Sequence, residues 1–258
     1  MFACDKIIGG ADMDEKWEKL KKWIEESNNI VFFGGAGVST ESGIPDFRSE
    51  NGIFMTMNEY GFPPETILSH SFFMEKPDIF FQYYKKNLLY TDAKPNKAHK
   101  ALAKLERQRK LRSVITQNID DLHQKAGSKR VLELHGTLYK NYCIKCHKTF
   151  DLGYVTKDNG ITKCDVCGSI VRPDVVLYEE GLNDNTVMEA VNDIAKADML
   201  IVGGTSLNVY PAAGLIRYYK GNKLVLINKS ATQYDKSANL VISDSIGEVL
   251  GAVTGIES

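Results

Sequence analysis

The chain has 258 residues, of which 43% are hydrophobic, 25% charged and 10% aromatic, and those fractions exclude wholesale disorder, collagen-like repeats and coiled coil. Lys plus Arg total 32 against 33 Asp plus Glu, so no basic excess is available for a phosphate backbone and nucleic acid is not an expected partner. No stretch approaches the roughly 18 apolar residues that span a bilayer, and the start, MFACDK, lacks the apolar run of a signal peptide, so no membrane partner and a cytoplasmic location are expected.

Residues 12–27 place Trp17, Leu20, Trp23 and Ile24 on one helical face, a stripe that reads as packing rather than as a ligand stack. The apolar run IVFF at 30–33 ends in Gly34-Gly35-Ala36-Gly37, the pattern of a buried strand entering a tight turn. Similar runs recur at 113–116, 199–202 and 224–227, and helical patterns lie between them at 96–110, 185–196 and 211–219. Buried strands alternating with helices predict an α/β fold, a parallel sheet with helices on both faces.

Two stretches break that alternation. Residues 50–92 are rich in Phe, Tyr and Met without a strand signal and read as a small helical insert. Residues 136–171 carry four cysteines, with Asn159-Gly160 and Gly168 as turn signals. The expected organisation is therefore a discontinuous sheet domain of residues 1–49, 93–135 and 172–258, with a smaller domain of residues 50–92 and 136–171.

The cysteines Cys143, Cys146, Cys164 and Cys167 form two C-x2-C pairs separated by 17 residues. In a chain without an export signal this spacing reads as a metal site rather than a disulfide framework. Cys4 has no partner in sequence and reads as incidental.

Three segments carry candidate chemistry. The turn GGAGVST, ending at Thr40, offers backbone N–H groups and a following helix to a phosphate, although such turns also close strands for steric reasons. It departs from the dehydrogenase fingerprint, because Thr40 stands where the third glycine belongs. The same segment runs on to Asp46, Phe47 and Arg48, which project from a loop constrained by Gly43 and Pro45; they suit a charged, aromatic nucleotide or form an ordinary solvated ion pair. After the strand ending at Thr116, the segment QNIDDLH supplies Gln117, Asn118, Ile119 and Asp120 at a position where parallel sheets bind ligands. Asp120 can read a carboxamide and can equally cap the next helix. Finally His135 ends a short apolar strand before Gly136, which makes it the leading general-base candidate, whereas His123 reads as structural.

The strings GAGVSTESGIPDFRS, TQNIDDLH, ELHGTL, the two C-x2-C pairs, RPDVVLYEE and GTSLNVYPAAGL closely resemble the bacterial-type sirtuins, NAD-dependent protein deacylases, in order from about residue 30 to 246. That resemblance implies a Rossmann-like NAD-binding domain with a smaller domain made of the helical insert and a four-cysteine zinc ribbon. It implies that NAD is a consumed co-substrate: the acyl-lysine oxygen attacks the nicotinamide-bearing ribose carbon, nicotinamide leaves, and the acyl group departs on ADP-ribose. His135 is then the base, with Asn118 and Asp120 also catalytic. Ala36, Thr40, Phe47, Arg48, Gln117, Ile119, Asp120 and His135 contact NAD, as do Thr205, Ser206, Asn228 and Ile246, with Phe47 screening the reactive carbon from water. Cys143, Cys146, Cys164 and Cys167 hold one structural Zn2+ in a closed site. The zinc segment from Lys140 to Gly168 has five lysines against three aspartates, too mild an excess for nucleic acid.

The same resemblance places an acyl-lysine peptide against Val175, Val176 and Leu177, paired as an added strand, with nicotinamide as product and possible inhibitor. Sirtuins acting on acidic acyl groups carry a Tyr-x-x-Arg pair; Phe81 and Tyr84 align there without the cation, so uncharged acyl groups are expected. Asn208 departs from the family pattern, either to bond substrate backbone or to face water. Two other functions stay open on sequence: an ADP-ribosyltransferase that passes ADP-ribose to a protein, and a non-catalytic NAD or zinc-ribbon binding module. Three candidate residues together, His135, Asn118 and Asp120, argue against the latter, since a binder needs no base.

Overall fold

The computed structural model describes residues 5–46 and 50–257. Cys4, Phe47 and Arg48, singled out above, lie outside the described residues. In chain order the strands are β1 (Ile30–Gly34), β2 (Leu111–Thr116), β3 (Val131–Glu133), β4 (Gly136–Cys143), β5 (Thr149–Asp151), β6 (Val171–Val175), β7 (Met199–Gly203), β8 (Leu224–Ile227) and β9 (Leu240–Ile242). The helices are α1 (Asp5–Glu26), α2 (Glu50–Tyr60), α3 (Pro64–Ile67), α4 (His70–Glu75), α5 (Pro77–Tyr83), α6 (Lys97–Arg107), α7 (Leu122–Lys125), α8 (Leu152–Val155), α9 (Asp184–Lys196) and α10 (Ile246–Thr254).

Six strands form one sheet in the order β3-β2-β1-β7-β8-β9, every neighbouring pair parallel. All five residues of β1 are buried, because it lies inside the sheet and both faces are covered. Its side chains alternate: Ile30 and Phe32 join Leu20, Ile24, Leu102 and Leu250 on one face, while Val31 and Phe33 meet Ala190, Ile194 and Ile216 on the other. Trp17 and Trp23 pack against the first of these cores, the packing role expected of that stripe. Among the described residues no helix is long and apolar enough to cross a membrane.

The smaller sheet is antiparallel, β5-β4-β6. Its core is aromatic: Phe72, Phe73, Phe80, Phe81, Tyr83 and Tyr84 from the helical insert pack on Leu138 and Val171 from the strands and on Cys143 and Cys164. Phe73 and Phe80 meet edge to face with ring centroids 4.9 Å apart, a preferred aromatic geometry. The helical insert and the cysteine segment thus share one hydrophobic core.

Two local expectations change. The stretch expected as a helix at 211–219 is a 3-10 helix, Ala212–Tyr218. The glycine turn is followed not by an α-helix but by two single 3-10 turns, Ala36–Val38 and Thr40–Ser42, ended by Gly43 at φ 81°. Only a residue tolerant of the left-handed region stops the chain there. The turn is anchored instead by Asn96, whose amide caps α6 and whose Nδ2 donates to Val38 O at 2.7 Å.

Candidate active site

Because the six strands are parallel, their carboxyl ends lie along one edge, the position at which such sheets bind ligands. Hydrogen bonds cross that edge from strand to strand. Gln117 N extends the β2 ladder to Gly34 O at 3.0 Å, and Gln117 Nε2 donates to Thr205 Oγ1 at 3.2 Å after β7. Thr205 N donates to Asn228 Oδ1 at 2.9 Å after β8. Gly37 N donates to Gly204 O at 2.8 Å, a close approach in which a Cβ at Gly37 would meet the Gly204 backbone 2.8 Å away.

Ala36, Gln117, Asn118, Ile119, Asp120 and His135 line one cavity, together with Val175, Val176 and Leu177 from the far wall. These nine sequence candidates, separated by up to 141 positions, therefore meet. Thr40 is exposed and turns its Oγ1 back onto Gly37 O at 3.0 Å. Ser206 and Asn208 are exposed. Ile246 is buried in the core against Gly203.

Ser39 is one residue of the site that sequence reasoning passed over. Its Oγ donates to Asp120 Oδ2 at 2.6 Å and accepts from Asn118 Nδ2 at 3.1 Å, so one buried hydroxyl orients both side chains. The only sequence signal was its place in GVST, and its partners come 79 and 81 positions later. The N-cap position of α7 is Asp121, without a side-chain cap bond; Asp120 sits one residue earlier, where its Oδ1 accepts from Leu122 N at 3.0 Å. Burial raises the Asp120 carboxyl above its usual range, and the Ser39 and Leu122 donors pull it back.

His135 Nδ1 lies 2.9 Å from Gln117 O. A carbonyl only accepts, so Nδ1 carries the proton in the neutral ring and Nε2 carries the lone pair. By contrast His123 is buried with His99, their ring centroids 4.7 Å apart, and burial lowers both imidazoles below their ordinary range. His123 is a core residue.

The four cysteines bring their sulfurs within 4.8 Å of one another, with Cys143 Sγ 3.4 Å from Cys167 Sγ and Cys146 Sγ 3.6 Å from Cys164 Sγ. Thiolates around a tetrahedral zinc at about 2.3 Å stand about 3.8 Å apart, so the donor set fits Zn2+. Each C-x2-C pair is a turn of the same shape: His147 N bonds Cys143 O, Gly168 N bonds Cys164 O, and residues 147 and 168 have φ of 58° and 70°. NAD is tested by a different observation. Asn228 Nδ2 is buried without a hydrogen-bond partner while its Oδ1 is taken by Thr205, so an unused donor waits beside the crevice for a polar ligand.

The cavity wall at Val175, Val176 and Leu177 is apolar. Phe81 and Tyr84, aligned with an acyl-carboxylate clamp, are 1% and 0% exposed in the aromatic core and do not line the cavity. Lys85 turns away, its Nζ donating to Asp158 O at 2.8 Å and Gly160 O at 2.7 Å. Among the described residues no lysine or arginine lines the cavity, whose acids are Asp120, Glu179 and Glu180. Strand addition on the far wall is also constrained. The N–H groups of Val176, Leu177 and Tyr178 already donate to His135 O, the Glu180 carboxylate and Leu68 O.

The Sir2 family model matches residues 35–211. An NAD-dependent protein deacetylase of Clostridium acetobutylicum is 62% identical over 240 residues, covering 93% of this chain and 98% of its own. One from Clostridium perfringens is 61% identical over 242 residues, covering 93% and 99%. A solved structure bearing on the mechanism and regulation of Sir2 enzymes is similar with a TM-score of 0.85 at 40% identity, covering 94% of this chain and 98% of that one. A Sir2 complex with a p53 peptide and NAD+ is similar at 0.82 and 36%, covering 93% and 98%. The match runs from the glycine turn to the segment after β7, the same span that builds the crevice, and with it the chain belongs to the Sir2 family.

Proposed function

We propose that this chain is an NAD-dependent protein-lysine deacetylase whose reaction takes place in the crevice at the carboxyl ends of β1, β2 and β3. The observation that carries this reading is the arrangement of His135 on Gln117 O and of Asn118 and Asp120 on Ser39, all facing one cavity. When bound, NAD supplies the nicotinamide leaving group and the ribose that accepts the acyl group.

His135 serves as the general base through Nε2, because its Nδ1 proton is held on Gln117 O. Asn118 and Asp120 hold the carboxamide end of the dinucleotide, their rotamers fixed in advance by Ser39. Gln117, Ile119, Ala36 and Thr40 surround that end, and Thr205, Ser206, Asn228 and Ile246 take the adenosine end. Asn228 Nδ2 offers its unused donor there. Phe47 and Arg48 belong to the same reading on sequence grounds. Val175, Val176 and Leu177 form the acyl-lysine wall, and a ligand there exchanges water for apolar side chains.

Zinc, held by Cys143, Cys146, Cys164 and Cys167, stabilises the β4–β6 unit; four thiolates leave no open position for chemistry. Residues 1–49, 93–135 and 172–258 form the NAD-binding domain in this reading, and 50–92 with 136–171 the smaller one. We place the enzyme in the cytoplasm, because cysteines grouped for metal rather than paired suit a reducing compartment.

The test is His135→Ala. Nicotinamide release and O-acyl-ADP-ribose formation from an acetyl-lysine peptide should fall by about 10²–10⁴-fold, while ADP-ribose binding measured by calorimetry stays. Undiminished turnover refutes the role of His135. Mass spectrometry of the products separates deacylation from transfer of ADP-ribose to protein.

A further inference from the structure

Between β6 and α9 the wall facing the acyl-lysine site continues as loop, and side chains more than sheet hydrogen bonds give it its shape. The Glu180 carboxylate is the hub. Its Oε1 accepts from Arg172 Nη1 at 2.6 Å and lies 2.9 Å from His70 Nδ1. Its Oε2 accepts from Arg172 Nη2 at 3.0 Å and from the Leu177 N–H at 2.9 Å. Arg172 is 4% exposed, and it also reaches the other end of the wall: Nη2 donates to Val175 O at 2.6 Å and Nε to Pro173 O at 3.3 Å. Its guanidinium stacks over Phe73 and Tyr142 at 5.3 and 5.8 Å.

A second clamp adjoins the first. Glu179 holds φ 75°, a left-handed conformation that a non-glycine residue rarely adopts. Its Oε2 accepts from both Ser71 N at 2.9 Å and Ser71 Oγ at 2.6 Å. Tyr178 N donates to Leu68 O and His70 N to Tyr178 O, each at 3.0 Å. Both clamps therefore end on the first turn of α4 in the helical insert.

We propose that Arg172 and Glu180, latched to α4 through Glu179 and Ser71, are positioning residues that set the acyl-lysine wall before the peptide arrives. The pair grips Val175 O and Leu177 N, the two ends of the wall, through one rigid fork. Ordering the wall in the free enzyme removes that cost from peptide binding, so the pair acts on peptide affinity rather than on the chemical step. A lysine at 172 keeps the charge but cannot span Glu180 and Val175 O with a planar fork. Burial alone would raise the Glu180 carboxyl; Arg172 and His70 overcome it and bring the pKa down to about 2, which matches the paired geometry. The inference rests on the reading that Val175–Leu177 face the acyl-lysine.

The experiment compares Arg172→Lys, Glu180→Gln and Ser71→Ala, with Val176→Trp as a direct obstruction of the wall. Peptide KM and kcat come from nicotinamide release, and ADP-ribose affinity from calorimetry. Arg172→Lys and Glu180→Gln should raise peptide KM about 10-fold, with kcat within about 3-fold and ADP-ribose affinity within about 2-fold. Ser71→Ala, on the exposed latch, should raise KM about 2-fold and serves where a core variant fails to fold. If Val176→Trp raises KM while Arg172→Lys, Glu180→Gln and Ser71→Ala do not, the positioning role is wrong and the wall stands. If Val176→Trp has no effect, the wall reading falls and takes this proposal with it. A parallel loss of peptide and ADP-ribose affinity makes the pair a general brace of the fold and also overturns it.

Discussion

Glu133 closes β3 two residues before His135, and its carboxylate accepts from Gln124 Nε2 at 2.8 Å. Burial raises its pKa from 4.5 to about 7; the Gln124 bond and Lys140 oppose the rise, while Asp121 and Asp120 add to it. In the unfolded chain this carboxyl loses its proton near 4.5, in the folded chain near 7. Between those values the folded state binds more protons than the unfolded one, so stability falls as pH rises through the window and is flat above it. Below 4.5 both states are protonated and the group contributes nothing. At about 1.4 kcal/mol per pH unit the gap sets a ceiling of about 3 kcal/mol, and partial solvent access brings the expected penalty to about 1–2 kcal/mol. Glu133→Gln keeps the shape and the acceptor for Gln124 but removes the charge. Urea unfolding should therefore find Glu133→Gln more stable than the parent by about 1–2 kcal/mol at pH 8, the difference shrinking to nothing near pH 4.5. A difference that does not change with pH, or a variant less stable at pH 8, would refute the reasoning.

Removing zinc with a chelator should lower the melting temperature and abolish deacetylation, since Cys143 and Cys164 sit inside the aromatic core that also holds Val175 and Leu177; calorimetry with and without added Zn2+ reads both the loss and its reversal. Unchanged melting after verified metal removal would contradict a structural role. Acyl groups ending in a carboxylate should turn over at least about 10²-fold more slowly than acetyl, because the described residues lining the cavity offer them acids and no cation. Comparable kcat/KM on succinyl- and acetyl-lysine peptides would refute this.

What the sequence revealed follows from how each element is buried. The inner strands β1, β7 and β8 are covered on both faces, so each is a continuous apolar run that stands out without an alignment. β9 and β3 are each three residues long and give no periodic signal. β4 reads GTLYKNYC, and a register shift between Thr137 and Asn141 spoils its alternation, which hid the small antiparallel sheet although its cysteines were plain. The site divides in the same way. Asn118, Asp120 and His135 were legible because each directly follows a recognisable strand end or motif. Ser39, Glu133 and the Arg172–Glu180 pair were not, because their importance lies in a partner: Ser39 needs Asp120, and Glu180 needs a guanidinium buried by rings from two other segments.

The position of His135 ties these parts together. On one side its imidazole is held by Gln117 O, which belongs to the parallel sheet. On the other, its own carbonyl accepts from Val176 N at 2.9 Å, in the wall of the smaller unit. The next residue, Gly136, has φ 74° and pairs with Val175; any Cβ there would collide with the Asp174 carbonyl, so the chain can turn from one sheet into the other only through a glycine. His135 thus stands where the chain leaves the parallel sheet and is stitched by its backbone to the segment that follows β6. A shift of the wall relative to the parallel sheet must move either the imidazole or the Val176 hydrogen bond. The side chains that hold Val175 O and Leu177 N, Arg172 and Glu180, therefore flank the one backbone bond, Val176 N to His135 O, by which this wall is tied to the end of the parallel sheet.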